Sequence, residues 1–152
     1  MKPFPHCYSS HLHGGPFGYA EVTSGGVPAL RAAPPPQFDG PGDAWSPEQF
    51  LLAAVATCFL FTLRAVARAS KVEFVGLELD AEGTVDRRAG PTRFVEIVLR
   101  AALVVPAGAD QARARTALEK TESACLVSAS ISTPVRLEAD VREAPLAQAV
   151  GQ

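Results

Sequence analysis

The most restrictive feature of this chain is a fourteen-residue stretch without a charged side chain, Phe50–Leu63, which directly follows Ser46–Gln49. A serine hydroxyl can cap the free amides of a first helical turn, and proline suits the first helical position. A glutamine three residues after the serine completes a capping box. The pattern predicts a helix that starts at Pro47 and ends near Ser70. Because the stretch is apolar around its whole circumference, it predicts a helix buried on all sides.

Length and composition favour one soluble domain. The chain has 152 residues, of which 47% are hydrophobic, and this is enough for a single core. We expect one domain over residues 1–152, with 143–152 as a frayed tail. The charge-free stretch is shorter than the roughly 18–20 residues that cross a bilayer, and no leader pattern opens the chain. The expectation is therefore a cytoplasmic protein that does not bind a membrane.

Charge argues against a nucleic acid partner. The formal net charge is −2 and the isoelectric point is about 5.9. The lysines and arginines are scattered along the chain and form no basic cluster. A surface that binds phosphate backbones needs such a cluster, so no nucleic acid is expected to bind.

The order of predicted elements indicates an α+β fold with a mostly antiparallel sheet. It begins with an N-terminal β-meander and a Pro/Gly segment over residues 31–45, followed by the long buried helix. A β-hairpin, a second helix capped by Asp110 and a closing strand complete the layout. The hairpin strands are predicted at Val72–Glu82, with a bulge at Gly83, and at Phe94–Val105, around a loop at Asp86–Pro91; the closing strand is predicted at Ser132–Val141. A fully apolar helix needs more cover than one sheet supplies, so we expect a homodimer formed through that helix.

Two cysteines raise the possibility of a redox site. Cys58 lies in the middle of the charge-free stretch, and Cys125 lies in a predicted helix tail. Glu48 precedes Cys58 by ten residues, close to three helical turns of about 3.6 residues, so the two share one helix face. Simpler roles remain open: each cysteine also suits a small buried position, and an acid in the first helical turn complements the helix dipole.

The N-terminus carries potential metal ligands, His6, His11 and His13, together with Cys7. They lack a second Cys/His cluster at ligand spacing. We therefore predict no metal site, and the role of these residues stays open.

Several motifs in order resemble the OsmC/Ohr family, which comprises osmotically inducible and organic hydroperoxide resistance proteins. They are Gln37–Gly40, Ser46–Gln49, Cys58 and, after the hairpin, Cys125–Ser128. The resemblance covers roughly residues 34–141 and implies an intertwined homodimer with two sites at the subunit interface and no metal or bound cofactor. It also implies that Cys58 attacks an organic hydroperoxide, becomes a sulfenic acid and condenses with Cys125. Glu48 matches the carboxylate that positions an activating arginine.

The chain departs from the family pattern at that arginine. OsmC-type members usually carry arginine where this chain has Gln37, and Ohr-type members place one where it has Pro16. Gln37 can donate hydrogen bonds but brings no charge, whereas Arg31 could replace the missing guanidinium. Arg64 lies six residues beyond Cys58 and points away from it.

The sequence thus predicts a thiol-dependent peroxidase that reduces organic hydroperoxides and is recycled by an unidentified thiol reductant. The alternative is a non-catalytic dimer that has lost the activating arginine and binds a small apolar ligand.

Overall fold

The computed structural model describes residues 2–87 and 90–145. The chain divides into two compact units, an N-terminal unit of residues 1–50 and a C-terminal unit of residues 51–152. Each unit contains one three-stranded sheet, and the described residues form an α+β fold as predicted.

The N-terminal unit contains the predicted meander. Its three strands are β1 (His11–Gly14), β2 (Ala20–Thr23) and β3 (Leu30–Ala32), all antiparallel to their neighbours. The connections contain the Gly14-Gly15 and Gly25-Gly26 pairs, because glycine accepts the backbone angles that tight turns require.

The Pro-rich segment that follows β3 is ordered. Pro36–Phe38 form a 3₁₀ helix, which Asp39 ends in the left-handed conformation at φ 60°. The amide of Gly40 donates to the carbonyl of Pro35 at 3.0 Å, and a Cβ at Gly40 would collide with the carbonyl of Pro34. Glycine at this point of the motif is thus explained by the close approach of two backbone segments.

Helix α1 (Pro47–Ser70) begins where the sequence predicts. The capping box is present in both directions: the Ser46 amide donates to Gln49 Oε1 at 2.9 Å, and the Gln49 amide donates to Ser46 Oγ at 3.3 Å. Ser46 is itself buried. These bonds satisfy amides that have no partner inside the helix.

The expectation that α1 is buried on all sides is wrong for a single protomer. Burial follows one stripe at four-residue steps, formed by Val55, Phe59, Leu63 and Ala67. Phe61, two residues from the fully buried Phe59, is 60% exposed. One stripe is buried because a single sheet contacts only one side of a helix, which leaves the other apolar side without cover in the protomer.

By length and composition alone, α1 also meets the criterion for a membrane-crossing helix, with a mean hydropathy of 2.1 over its best 18-residue window. The expectation that it is too short counted only the charge-free stretch, whereas the helix has 24 residues. Core helices of soluble proteins meet the same criterion, so this observation is weak evidence for a membrane span.

The C-terminal unit places helices on one side of a mixed sheet. Its elements are β4 (Gly76–Asp86), β5 (Arg93–Val105), α2 (Gln111–Ala124), α3 (Leu126–Ala129) and β6 (Val135–Glu143). Asp110 caps α2 as predicted, accepting from the Arg113 amide at 3.0 Å. Strand β4 is antiparallel to β5, whereas β6 is parallel to β5. The parallel strand follows from the helical crossover between β5 and β6, which returns the chain to the same end of the sheet.

Three boundaries in this unit differ from the prediction. The first strand starts at Gly76 and not at Val72, so residues 72–75 precede it. The register shift lies between Thr84 and Val85; Gly83 instead lies where a Cβ would clash with the ring of Phe94. The closing strand starts later and extends further than predicted.

The predicted loop and tail lie partly outside the described residues. Residues 88 and 89 of the loop and 146–152 of the tail are not described. At the start of the predicted tail, Glu143 ends β6 and the buried Ala144 donates its amide to the Val105 carbonyl at 2.8 Å.

One hydrophobic cluster joins the elements of the C-terminal unit. It contains residues from α1, β5, α2 and β6: Val55, Phe59, Leu63, Ile97, Leu99, Ala101, Leu103, Val105, Ala114, Leu118 and Val141. Alternate residues of β5 point into the cluster, as expected for a strand with a period of two. This packing fixes α1 against the sheet. Cys58 does not belong to the cluster and is only half-buried.

Candidate active site around Cys58 and Cys125

Cys58 is half-buried on the side of α1 that faces away from the cluster. It lines an open groove of about 540 Å³, together with Ala54, Thr57, Phe61, Thr62, Ala65 and Val127. None of these lining side chains is charged, and most are apolar. A thiol in this position is accessible to a small molecule with an apolar group.

The sequence predicts Cys125 within a helix tail. In the structure it lies instead at the junction between α2 and α3. Its backbone angles, φ −69° and ψ 114°, end α2 and allow α3 to start at the next residue. Its side chain is buried, with 1% exposure. The break matters because the first amides of a helix have no partner within that helix and can donate elsewhere.

Neighbouring groups lower the pKa of the Cys58 thiol. The backbone amides of Val127 and Leu126, at the start of α3, act as donors toward it, and Val127 lines the same groove. The side chain of Cys125 also lowers this pKa, and Thr62 Oγ1 lies 4.0 Å from the Cys58 Sγ. The structure therefore brings the two predicted redox cysteines together, and both are free thiols.

The surroundings of Cys58 favour its ionised form. Burial is the largest single influence and raises the pKa of the Cys58 thiol. Hydrogen bonding lowers this pKa and, taken together, outweighs burial, so that the net result is a lowered pKa. The groups that contribute are Val127, Cys125, Thr62 and Leu126. The physical reason is that each donor stabilises a negative sulfur more than a neutral one. A lowered thiol pKa is typical of reactive cysteines, because the thiolate is the nucleophile.

Glu48 lies in the first turn of α1, as predicted. Its Oε2 atom is buried and has no hydrogen-bond partner among the described residues. A buried carboxylate oxygen without a donor is costly and is usually satisfied by a partner. Its predicted role in positioning a cation stays a prediction.

Arg31 takes part in a polar cluster within the N-terminal unit. Its guanidinium donates to the carbonyl oxygen of Asp43 at 2.9 Å and to the carboxylate Oδ2 at 3.3 Å, and it lies over the ring of Tyr19 at 4.4 Å. The hydroxyl of Tyr19 donates to the same carboxylate, and this hydrogen bond raises the pKa of Tyr19. Gln37 lies exposed on the 3₁₀ helix of this unit. The activating roles predicted for Arg31 and Gln37 stay predictions.

Cys7 is exposed, and the ring of His6 stacks on that of Phe4 with centroids 4.6 Å apart. No group of three His, Cys, Asp or Glu side chains suited to a metal ion occurs within 2–87 and 90–145.

Sequence reasoning missed Thr62 and the amides of α3 as parts of the site. Thr62 follows Cys58 by four residues, a spacing that makes two helical side chains neighbours, and this spacing could have identified it. The amides had no sequence signal, because their availability depends on the helix break at Cys125.

Comparison with known proteins identifies the family. A family model described as OsmC-like protein matches residues 40–140. The Bacillus subtilis protein YmaD, described as uncharacterized, is 34% identical over 113 residues, which cover 71% of this chain and 75% of YmaD. An organic hydroperoxide resistance protein from Xanthomonas axonopodis pv. citri is 30% identical over 120 residues, covering 78% of this chain and 82% of its own.

A solved structure supports the fold independently. An OsmC-like protein of unknown function from Vibrio cholerae superposes with a TM-score of 0.81 at 15% identity, covering 90% of this chain and 99% of the other. At this identity the likeness concerns the fold alone. From the family model and the two relatives, this chain belongs to the OsmC/Ohr family.

Proposed function

We propose that this protein is a cytoplasmic thiol peroxidase that reduces organic hydroperoxides through Cys58 and Cys125, without a metal or an organic cofactor. The observation that carries the proposal is the pair of free thiols, of which Cys58 lines an open, uncharged groove and Cys125 acts on it from the start of α3. The name of the Xanthomonas relative, organic hydroperoxide resistance protein, supports the same reaction class.

The reaction starts at the Cys58 thiolate. Its sulfur attacks the terminal oxygen of ROOH and forms an S–O bond as the O–O bond breaks, which leaves Cys58 as a sulfenic acid and RO⁻ to take up a proton as ROH. The thiol of Cys125 then attacks the sulfenic sulfur, forms the disulfide and releases water. Two reductant thiols return the disulfide to two thiols and become a disulfide themselves.

The position of Cys125 suits the second step. Its side chain is near enough to lower the pKa of Cys58, and it is buried, with 1% exposure. Formation of the disulfide requires that the two Cβ atoms come to about 3.5–4.5 Å from each other.

The groove beside Cys58 favours an organic over an inorganic peroxide. Phe61 and two alanines contribute apolar surface next to the sulfur. Burying the organic group against this surface is worth about 25 cal/mol per Å² of apolar area, a gain that hydrogen peroxide cannot make.

We further propose that the protein acts as a homodimer in which a second copy packs on the exposed apolar side of α1, so that the groove beside Cys58 lies at the subunit interface. That side is formed by Phe61, which is 60% exposed, and by Ala54 and Ala65, which lie two turns and one turn away from it. A second copy with the same face is the simplest cover, because two-fold contacts are self-complementary. Glu48 would then position a hydrogen-bond donor near each site, either the guanidinium of Arg31 or the neutral amide of Gln37.

The non-catalytic alternative rests on one observation, the absence of arginine at positions 16 and 37. In that case the groove would bind a small apolar ligand, and Cys58 would not react with peroxide at a useful rate.

Thiol counting separates these functions. In the Cys7→Ser background, an organic hydroperoxide should consume both remaining thiols and yield a Cys58–Cys125 disulfide, whereas an equal concentration of hydrogen peroxide should react more slowly. Cys58→Ser should abolish the reaction, and Cys125→Ser should stop it at a trappable sulfenic acid on Cys58. Retention of both thiols under excess organic hydroperoxide would refute the peroxidase function. The remaining hypothesis would then be the non-catalytic protein that binds a small apolar ligand.

A further inference from the structure

The hydroxyl of Thr62 makes an unusual contact for a helical threonine. Ser and Thr within helices commonly donate to the carbonyl four residues earlier. In this protein Thr57 donates to the carbonyl of Ala53 at 2.7 Å, and Thr121 does the same one turn back at 2.7 Å. For Thr62 the residue four positions earlier is Cys58, and the contact is with Sγ at 4.0 Å.

The direction of this hydrogen bond follows from the charge on sulfur. With a neutral thiol, either atom can be the donor. A thiolate has no proton to give, so the hydroxyl of Thr62 must donate once Cys58 is ionised. Hydrogen bonds to ions are shorter and stronger than neutral ones, so ionisation would draw the hydroxyl toward the sulfur.

The donors around the sulfur come from two elements and carry no formal charge. Thr62 lies 4.0 Å from it on α1, and the amides of Leu126 and Val127 at the start of α3 lower its pKa. Among the described residues of 51–87 and 90–145, the titratable group that acts on it is Cys125. The groove lining is uncharged, and Arg64 lies over the ring of Phe61, one of the lining residues, at 5.3 Å.

We propose that Thr62 is a further catalytic residue, whose hydroxyl joins the α3 amides in an uncharged cradle that holds the Cys58 thiolate. Its purpose rests on the proposed peroxidase function, but the cradle itself is testable without peroxide. It explains how the thiol can remain ionisable in a chain that has Gln37 and Pro16 at the positions where relatives carry arginine.

The test measures the pH dependence of Cys58 alkylation by iodoacetamide, followed by peptide mass spectrometry in the Cys7→Ser background. Thr62→Val removes the hydroxyl at constant shape. It should raise the alkylation midpoint by about 0.5–1 pH unit and slow alkylation near neutral pH about three- to tenfold, with the high-pH plateau unchanged. Thr62→Ser keeps a hydroxyl and should stay close to the unmodified chain.

Thr57→Val is the matched control. Thr57 lines the same groove, but its hydroxyl is already used by Ala53, so the midpoint should not move.

Three results would overturn the cradle: an unchanged midpoint in Thr62→Val, an equal shift in Thr57→Val, or a Thr62→Ser variant that behaves like Thr62→Val. If circular dichroism shows that Thr62→Val does not fold, Thr62→Ala against Thr62→Ser makes the same comparison. Peroxide consumption is scored separately. If Thr62→Val shifts the midpoint but the unmodified chain does not reduce peroxide, the cradle is supported and the peroxidase function is refuted. If the unmodified chain reduces peroxide but Thr62→Val does not shift the midpoint, the peroxidase function is supported and the cradle is refuted.

Discussion

Two phenylalanines on α1 allow the packing and the proposed dimer to be tested with the same substitution. Phe59 is 0% exposed and belongs to the hydrophobic cluster, whereas Phe61 is 60% exposed. Phe59→Ala leaves a cavity inside one protomer and should lower the free energy of unfolding by about 3–5 kcal/mol. This loss should not depend on protein concentration.

Phe61→Ala should act on association instead. A phenylalanine buries about 150–250 Å² when fully covered, so an exposure of 60% leaves roughly 90–150 Å² for a partner to cover. At about 25 cal/mol per Å² this is worth up to about 2–4 kcal/mol per protomer if the second copy covers all of it. The isolated protomer should lose about 0.5 kcal/mol or less.

The assay combines urea unfolding at several protein concentrations with light scattering and sedimentation. Phe59→Ala should lower the urea midpoint equally at all concentrations. Phe61→Ala should raise the dimer dissociation constant, so that the midpoint depends more strongly on concentration. If Phe61→Ala costs as much as Phe59→Ala at every concentration, the packing of α1 described above is wrong. If Phe61→Ala alters neither stability nor association, a second copy does not cover this side of α1. Flotation with lipid vesicles then tests whether this side binds a membrane.

Three further perturbations address the core, the polar loop and the activation of the thiol. Val55→Glu places an unpaired carboxylate at a fully buried position, and its cost of several kcal/mol should unfold the chain in circular dichroism; a native spectrum at neutral pH would contradict this. Gly40→Ala, whose Cβ would meet a backbone carbonyl, should cost on the order of 2 kcal/mol in urea unfolding, whereas Gly25→Ala has open space and serves as the control. If Arg31 activates the peroxidatic thiol, Arg31→Ala should slow peroxide reduction about tenfold or more, equivalent to about 1.4 kcal/mol. If no arginine acts, Gln37→Arg should increase the rate; unchanged rates in both variants would refute both roles.

Local features of the chain were predictable because they depend on neighbours in sequence. The capping box at Ser46 and Gln49 formed at the predicted start of α1, and Asp110 capped α2. Caps satisfy amides within one turn, so three or four residues contain all the information they need. The family motifs were equally local, which is why the family could be identified before the fold was known.

Properties that depend on packing were not accessible in this way. An apolar run is the same string whether one side or all sides are covered, so the sequence could not distinguish buried Phe59 from exposed Phe61. Strand β6 alternates like its neighbours, but its parallel pairing with β5 was decided by the helical crossover between them.

The candidate site likewise combines features that the local sequence determines with features that depend on packing. The sequence alone placed Cys58 and Cys125 in two predicted helical segments and predicted redox chemistry for them. The tertiary structure decided what surrounds one of them: α2 ends at Cys125, and the amides of Leu126 and Val127 at the start of α3 lower the pKa of Cys58 on another helix. Hydrogen-bond donors without a side chain leave no trace in a sequence, and only packing brings them within reach of the thiol.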